Sequence, residues 1–115
     1  YFTHGWVTYS NAAKQSELMV PPEMIDQYGA VSEHVARAMA QGARRCSGAD
    51  YAIGITGIAG PDGGSEQKPV GLVYIALDSR DGAEASRYVF SWDRSSVRLR
   101  AAQTALNLLR LKLIG

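Results

Sequence analysis

The chain has 115 residues, 46% of them apolar and 20% charged, with a net charge of +1. That is the make-up of one ordinary globular domain with room for one core, and its near-neutral balance gives no bulk attraction for nucleic acid or an acidic membrane. The one cysteine, Cys46, excludes an intrachain disulfide and a cysteine-rich metal site, and no apolar run is long enough to span a bilayer.

The sequence starts at Tyr1 in mid-pattern without an initiator Met, so it reads as a piece of a longer protein. Residues 5–10 (GWVTYS) have the β-branched and aromatic content of a short strand. Asn11 is placed to cap a helix over residues 12–19, which Pro21 and Pro22 stop. A short helix from Pro22 to Tyr28 follows, with proline at its start and Gly29 at its end. Ser32 caps a stronger helix running to Cys46. Val35, Met39, Ala43 and Cys46 form its apolar stripe, and Gly48 stops it. Cys46 on that stripe reads as a small buried hydrophobe. His34, in the first turn, reads as solvated.

Tyr51 to Thr56 is a short buried strand. A loop follows in a stretch that holds six of the chain's 12 glycines between Gly54 and Gly71. Such a loop lets backbone approach a ligand closely, and it leaves a strand end, where open α/β sheets place their sites. Val70 to Asp78 is a second buried strand. The Asp81-Gly82 turn signal predicts that residues 84–92 return antiparallel. Asp93 caps a final helix from Arg94 to Leu113. Its apolar face is Val97, Ala101, Ala105 and Leu108, widened by Leu106, Leu109 and Leu113. The order of elements predicts an α/β fold: a three-layer α/β/α sandwich around a mixed sheet with at least one antiparallel strand.

The glycine loop is neither of the common phosphate loops. No Gly-Lys-Ser/Thr follows Gly57, Gly60, Gly63 and Gly64, and the loop leads into a strand rather than a helix. His4 and His34 have no partners at metal-ligand spacing. Gly57 and Gly60 by themselves read as turn formers. Lys14 reads as a solvated helix lysine, Tyr9 as a packing residue and Arg94 as a surface arginine.

Four segments in order, GWVTYSNAAK, GAVSEHVARAMAQGA, ITGIAGPDGGSEQKPVGLVYIAL and WDRSSVR, resemble the CinA C-terminal domain family over nearly the whole chain. The resemblance implies one domain over residues 1–115 without its N-terminal strand-helix segment. It also implies a cytoplasmic nicotinamide-nucleotide amidase, which converts nicotinamide mononucleotide to nicotinate mononucleotide and ammonia through a serine acyl-enzyme. The family serine lies in an AESCTGG-like motif that these residues do not contain, so the resemblance implies that this piece alone is inactive. By the same resemblance Tyr9 and Lys14 of TYSNxAK are the catalytic partners. Thr56 and Gly57 contact substrate, and Arg94 of the GDR-like motif holds phosphate. Trp92 stands where the family has glycine. A lysine suits the base's role if desolvation or a nearby cation lowers its pKa. The scheme requires no metal or organic cofactor. Its partner is a pyridine nucleotide, with no nucleic acid and no membrane, and a homodimer would cover apolar surface left by the missing segment. The alternative is a noncatalytic nucleotide-binding or interaction domain of a larger CinA-type protein.

Overall fold

The computed structural model describes residues 20–58, 71–90 and 94–114. Helix α1 spans Pro22–Tyr28 and α2 spans Glu33–Ser47. Strands β1, β2 and β3 span Tyr51–Gly57, Leu72–Ser79 and Gly82–Val89, and helix α3 spans Arg94–Ile114. The expected strand over residues 5–10 and helix over residues 12–19 lie outside the described residues.

Local signals set the two early helices. Pro22 opens α1 with its φ already fixed, and the Gly29 amide closes it on the Ile25 carbonyl at 2.8 Å. The Ser32 hydroxyl accepts from the Val35 amide at 3.2 Å, satisfying an amide at the start of α2. Gly48, left-handed at φ 71°, ends α2 by donating to the Arg44 carbonyl. Ala lacks this freedom, so glycine is the natural residue there.

The strands form an antiparallel meander in the order β1-β2-β3. β1 pairs with β2 with Ile55 opposite Ile75, and β2 pairs with β3 with Ile75 opposite Ser86. The predicted hairpin is present. Arg80 and Asp81 make the turn, and the Asp81 amide is held by Ser79 Oγ at 3.2 Å. β3 starts at Gly82 and ends at Val89, earlier at both ends than expected. All pairs among the described residues are antiparallel; the parallel member of a mixed sheet would need residues outside them.

Side-chain alternation along β2 separates two packing layers. Val73 and Ile75 meet Ala101 and Ala105 of α3, joined by Ile53, Tyr88, Phe90 and Leu108. Ala76, with Tyr74 and Ala85, meets Ala36 and Ala40 of α2 on the other face. The described residues are therefore an α/β fold with helices on both faces of the sheet. α1 lies on the outside of α2, around Val20, Ile25, Val35, Ala38 and Met39.

Three expectations change. Cys46 is exposed, because the last turn of α2 extends past the packed part of its stripe. His34 is half-buried and stacked on Tyr28, ring centroids 3.6 Å apart, rather than solvated. Leu106 and Leu113 do not widen the core face of α3: they are 64% and 60% exposed. Small Ala101 and Ala105 bring α3 close to β2, and a helix this close presents only a narrow face.

Candidate functional site

Four chain ends converge at one end of the sheet: the carboxyl ends of β1 and β3, the amino end of β2 and the amino end of α3. One backbone knot fixes this convergence. The Gly71 amide donates to the Ile58 carbonyl at 2.6 Å, and the Ile58 amide donates to the Leu72 carbonyl at 2.8 Å. Gly71 has φ 92°. Two residues of one strand facing one of the other, with a left-handed glycine first, is a G1 bulge. The third strand joins through the Phe90 amide, which donates to the Gly71 carbonyl at 2.9 Å. A Cβ on Gly71 would collide with the Phe90 carbonyl oxygen, so both the conformation and the space demand glycine.

The Ile58–Leu72 bond also sets the phase of the β1–β2 ladder. In an antiparallel pair every second residue bonds across. Thr56, opposite Tyr74, therefore spends its amide and carbonyl on β2. Gly57, opposite Val73, turns its own amide and carbonyl to the side of β1 away from β2. Of Thr56 and Gly57, which the family resemblance assigns to substrate together with Arg94, only Gly57 offers a backbone amide away from the β1–β2 ladder. A Cβ at Gly57 would stand 2.7 Å from the Leu72 carbonyl oxygen and 2.9 Å from Val73 Cγ2, so β2 itself requires glycine there.

The Thr56 side chain has a different task. It is 7% exposed, and its hydroxyl donates to the Ala30 carbonyl at 2.8 Å. This bond ties β1 to the α1–α2 connection across 26 residues of sequence. In the same connection the Ser32 hydroxyl donates to the Gly29 carbonyl at 2.9 Å. The amino end of α2 is thereby held beside the carboxyl end of β1. Further along, Gly54 admits the helix: a Cβ there would lie 2.5 Å from the Ala36 carbonyl oxygen and 2.8 Å from the Ala40 amide nitrogen. The sequence reading counted Gly54 with the loop glycines and missed this contact. Its signal was the matching run of small residues Ala36, Ala40 and Ala43 on α2.

Arg94 is the first residue of α3. It follows Phe90 by four residues, a reach of at most about 14 Å, which keeps its backbone at the same end of the sheet as Gly57 and Gly71. Tyr9, Lys14, Trp92, Asp93 and the loop glycines 60, 63 and 64 lie outside the described residues. Among the described residues no cluster of three or more His, Cys, Asp or Glu side chains could hold a metal ion. No helix among them is long and apolar enough to cross a membrane.

The opposite end of the sheet carries polar residues of another kind. Asp78, 6% exposed, is the last but one residue of β2, with Arg44 Nη1 of α2 at 3.8 Å. This is a structural ion pair between helix and sheet, far along β1 from the Thr56–Gly57 junction.

Residues 1–113 match the family model described as CinA C-terminal domain. A CinA-like protein of Geotalea uraniireducens (strain Rf4) is 53% identical over 115 residues, which cover 100% of this chain and 27% of the relative. A CinA-like protein of Geobacter sulfurreducens is 52% identical over 114 residues, 99% of this chain and 28% of its own. The chain therefore spans little more than a quarter of the length of these relatives. Among solved structures, the CinA superfamily protein from Enterobacter cloacae superposes with a TM-score of 0.87 at 37% identity, covering 92% of this chain and 63% of that one. The competence/damage inducible protein CihA from Agrobacterium tumefaciens gives 0.83 at 42% identity, covering 90% and 64%.

Proposed function

The chain belongs to the CinA C-terminal domain family, and from that membership we propose that it forms one wall of a cytoplasmic amidase site for the carboxamide of nicotinamide mononucleotide. A serine from polypeptide beyond these residues attacks the carboxamide carbon. Lys14, assisted by Tyr9, takes the serine proton and passes it to the departing nitrogen. The C–N bond breaks, ammonia leaves, and water then cleaves the acyl-enzyme to give nicotinate mononucleotide. Arg94 holds the phosphate, which the amino end of α3 also favours.

The observation that supports this reading best is the Thr56–Gly57 junction. The Gly57 amide points off the β1–β2 ladder at a strand end, where it can donate to an oxyanion without breaking the pairing with β2. Thr56 contributes by holding the start of α2 against that strand end.

The experiment is ammonia release from nicotinamide mononucleotide by the longer protein that carries the AESCTGG-like segment. Lys14→Ala should lower kcat by about 10²–10⁴, the usual contribution of a general base. Normal turnover in that variant would remove Lys14 from the role. A second reading is a noncatalytic nucleotide-binding domain, in which the same Gly57 amide off the β1–β2 ladder serves binding alone. It predicts saturable binding of the mononucleotide with no ammonia released by the longer protein.

A further inference from the structure

The Tyr28–His34 stack belongs neither to the helix caps nor to the core. Tyr28 is the last residue of α1 and His34 the second of α2. Their rings lie 10° from parallel with centroids 3.6 Å apart, so the two faces are in full van der Waals contact. Tyr28 is 38% exposed, and neither ring joins the apolar cluster around Val20, Ile25, Val35, Ala38 and Met39. What the contact joins is the two ends of the connection over residues 29–33.

That connection leads directly to the candidate site. It turns at Gly29, where φ is 83°. The Gly29 carbonyl accepts from the Ser32 hydroxyl, and the Ala30 carbonyl accepts from the Thr56 hydroxyl at 2.8 Å. The Ala30 carbonyl therefore fixes the Thr56 side chain from a segment that the two rings close. The Gly57 N–H lies in the same rigid peptide plane as the Thr56 carbonyl. A tilt of Thr56 is thus a tilt of the Gly57 donor. The path runs from the rings to Ala30, to Thr56 and to the Gly57 amide, each step a contact or a bond.

We propose that Tyr28 and His34 are positioning residues for the Gly57 amide: their stack holds the connection that holds Thr56, and so aims the donor. The chemistry rests on the amidase reading of the Thr56–Gly57 junction. An oxyanion donor acts on charge that develops in the transition state, so its misalignment lowers kcat. The phosphate end of the substrate is assigned to Arg94, so KM for the mononucleotide is left alone. Displacing a reacting group by about 1 Å costs about 10²-fold, and a donor that is loosened rather than displaced should cost about tenfold.

The test uses the longer protein that carries the AESCTGG-like segment, with two readouts: ammonia release from nicotinamide mononucleotide and the amide resonance of Gly57. His34→Ala should lower kcat about tenfold with KM unchanged, and should shift the Gly57 resonance. His34→Phe keeps a ring without an ionisable nitrogen and should restore both. Tyr28→Ala combined with His34→Ala should cost no more than either alone, because each breaks the same contact. The melting temperature should move by no more than roughly 2–4 °C. Normal kcat in His34→Ala would overturn the proposal, as would a loss that His34→Phe does not recover, additive losses from the two alanines, or a larger fall in melting temperature. A parent protein that releases no ammonia would refute the amidase reading by itself. The Gly57 resonance then decides the positioning role: shifted by His34→Ala and returned by His34→Phe, the role stands; unmoved, it fails.

Discussion

Gly54→Ala adds one methyl group at the tightest contact between α2 and the sheet. The new Cβ would meet the Ala36 carbonyl oxygen at 2.5 Å and the Ala40 amide nitrogen at 2.8 Å. Ordinary contact is about 3.5 Å, so α2 has to retreat by roughly 1 Å. Both obstructing atoms are backbone, and no side-chain rotation relieves them. Overpacking of this kind costs about 2–3 kcal/mol. Loss of glycine's freedom in the unfolded chain returns about 0.5–1 kcal/mol. The expected net loss is about 1–2.5 kcal/mol. At about 2.1 cal/mol/K per residue of unfolding entropy, this lowers Tm by roughly 4–10 °C. Urea and thermal unfolding, followed by circular dichroism, measure it. Gly48→Ala is the contrast: nothing lies within 4 Å of a Cβ there, and only the left-handed φ of 71° resists, at about 1–2 kcal/mol. A Gly54→Ala variant as stable as the parent would refute the close helix–sheet contact. Equal hydrogen exchange at the Thr56 end of β1 would argue against any movement of α2.

Thr56→Val keeps the shape of the side chain and leaves the Ala30 carbonyl without its donor, so stability should fall by about 1–3 kcal/mol in urea titrations. Thr56→Ser keeps the hydroxyl and should recover most of that loss; if Val and Ser behave alike, the bond is not what holds the connection. If the proposed activity holds, Arg94→Ala in the longer protein should raise KM for nicotinamide mononucleotide by about tenfold or more, from loss of a charge-assisted phosphate contact. It should leave KM for a substrate without the phosphate unchanged; an equal rise for both would remove the phosphate role.

The helices α1 and α2 were legible because their signals are local. Pro22, Gly29, Ser32 and Gly48 each act within a turn of their own position. The hairpin was legible for the same reason, from Asp81-Gly82. Helix α3 was harder. Its sequence holds two apolar stripes, and periodicity cannot say which faces the sheet. The answer, the narrow alanine stripe of Ala101 and Ala105, depends on how closely β2 approaches. The site was half legible. Thr56 and Gly57 came from motif resemblance, but their division of labour did not. Whether an amide is spent on the ladder depends on register, and register was set by a bulge at Gly71. The partner of the Thr56 hydroxyl lies 26 residues away, beyond the reach of any local pattern.

The knot at Gly71 also bears on how this fold can change over time. Ile58 and Gly71 are bonded to each other, and Gly71 is bonded to Phe90, so the intervening 12 residues leave and return at one fastened point. What happens to the length of that insert need not be transmitted to the strands. Doubling it adds only about 0.6 kcal/mol of closure entropy. Whole inserts can therefore be exchanged between related proteins without disturbing the sheet, provided that Gly71 and the residue at the Ile58 position are left in place.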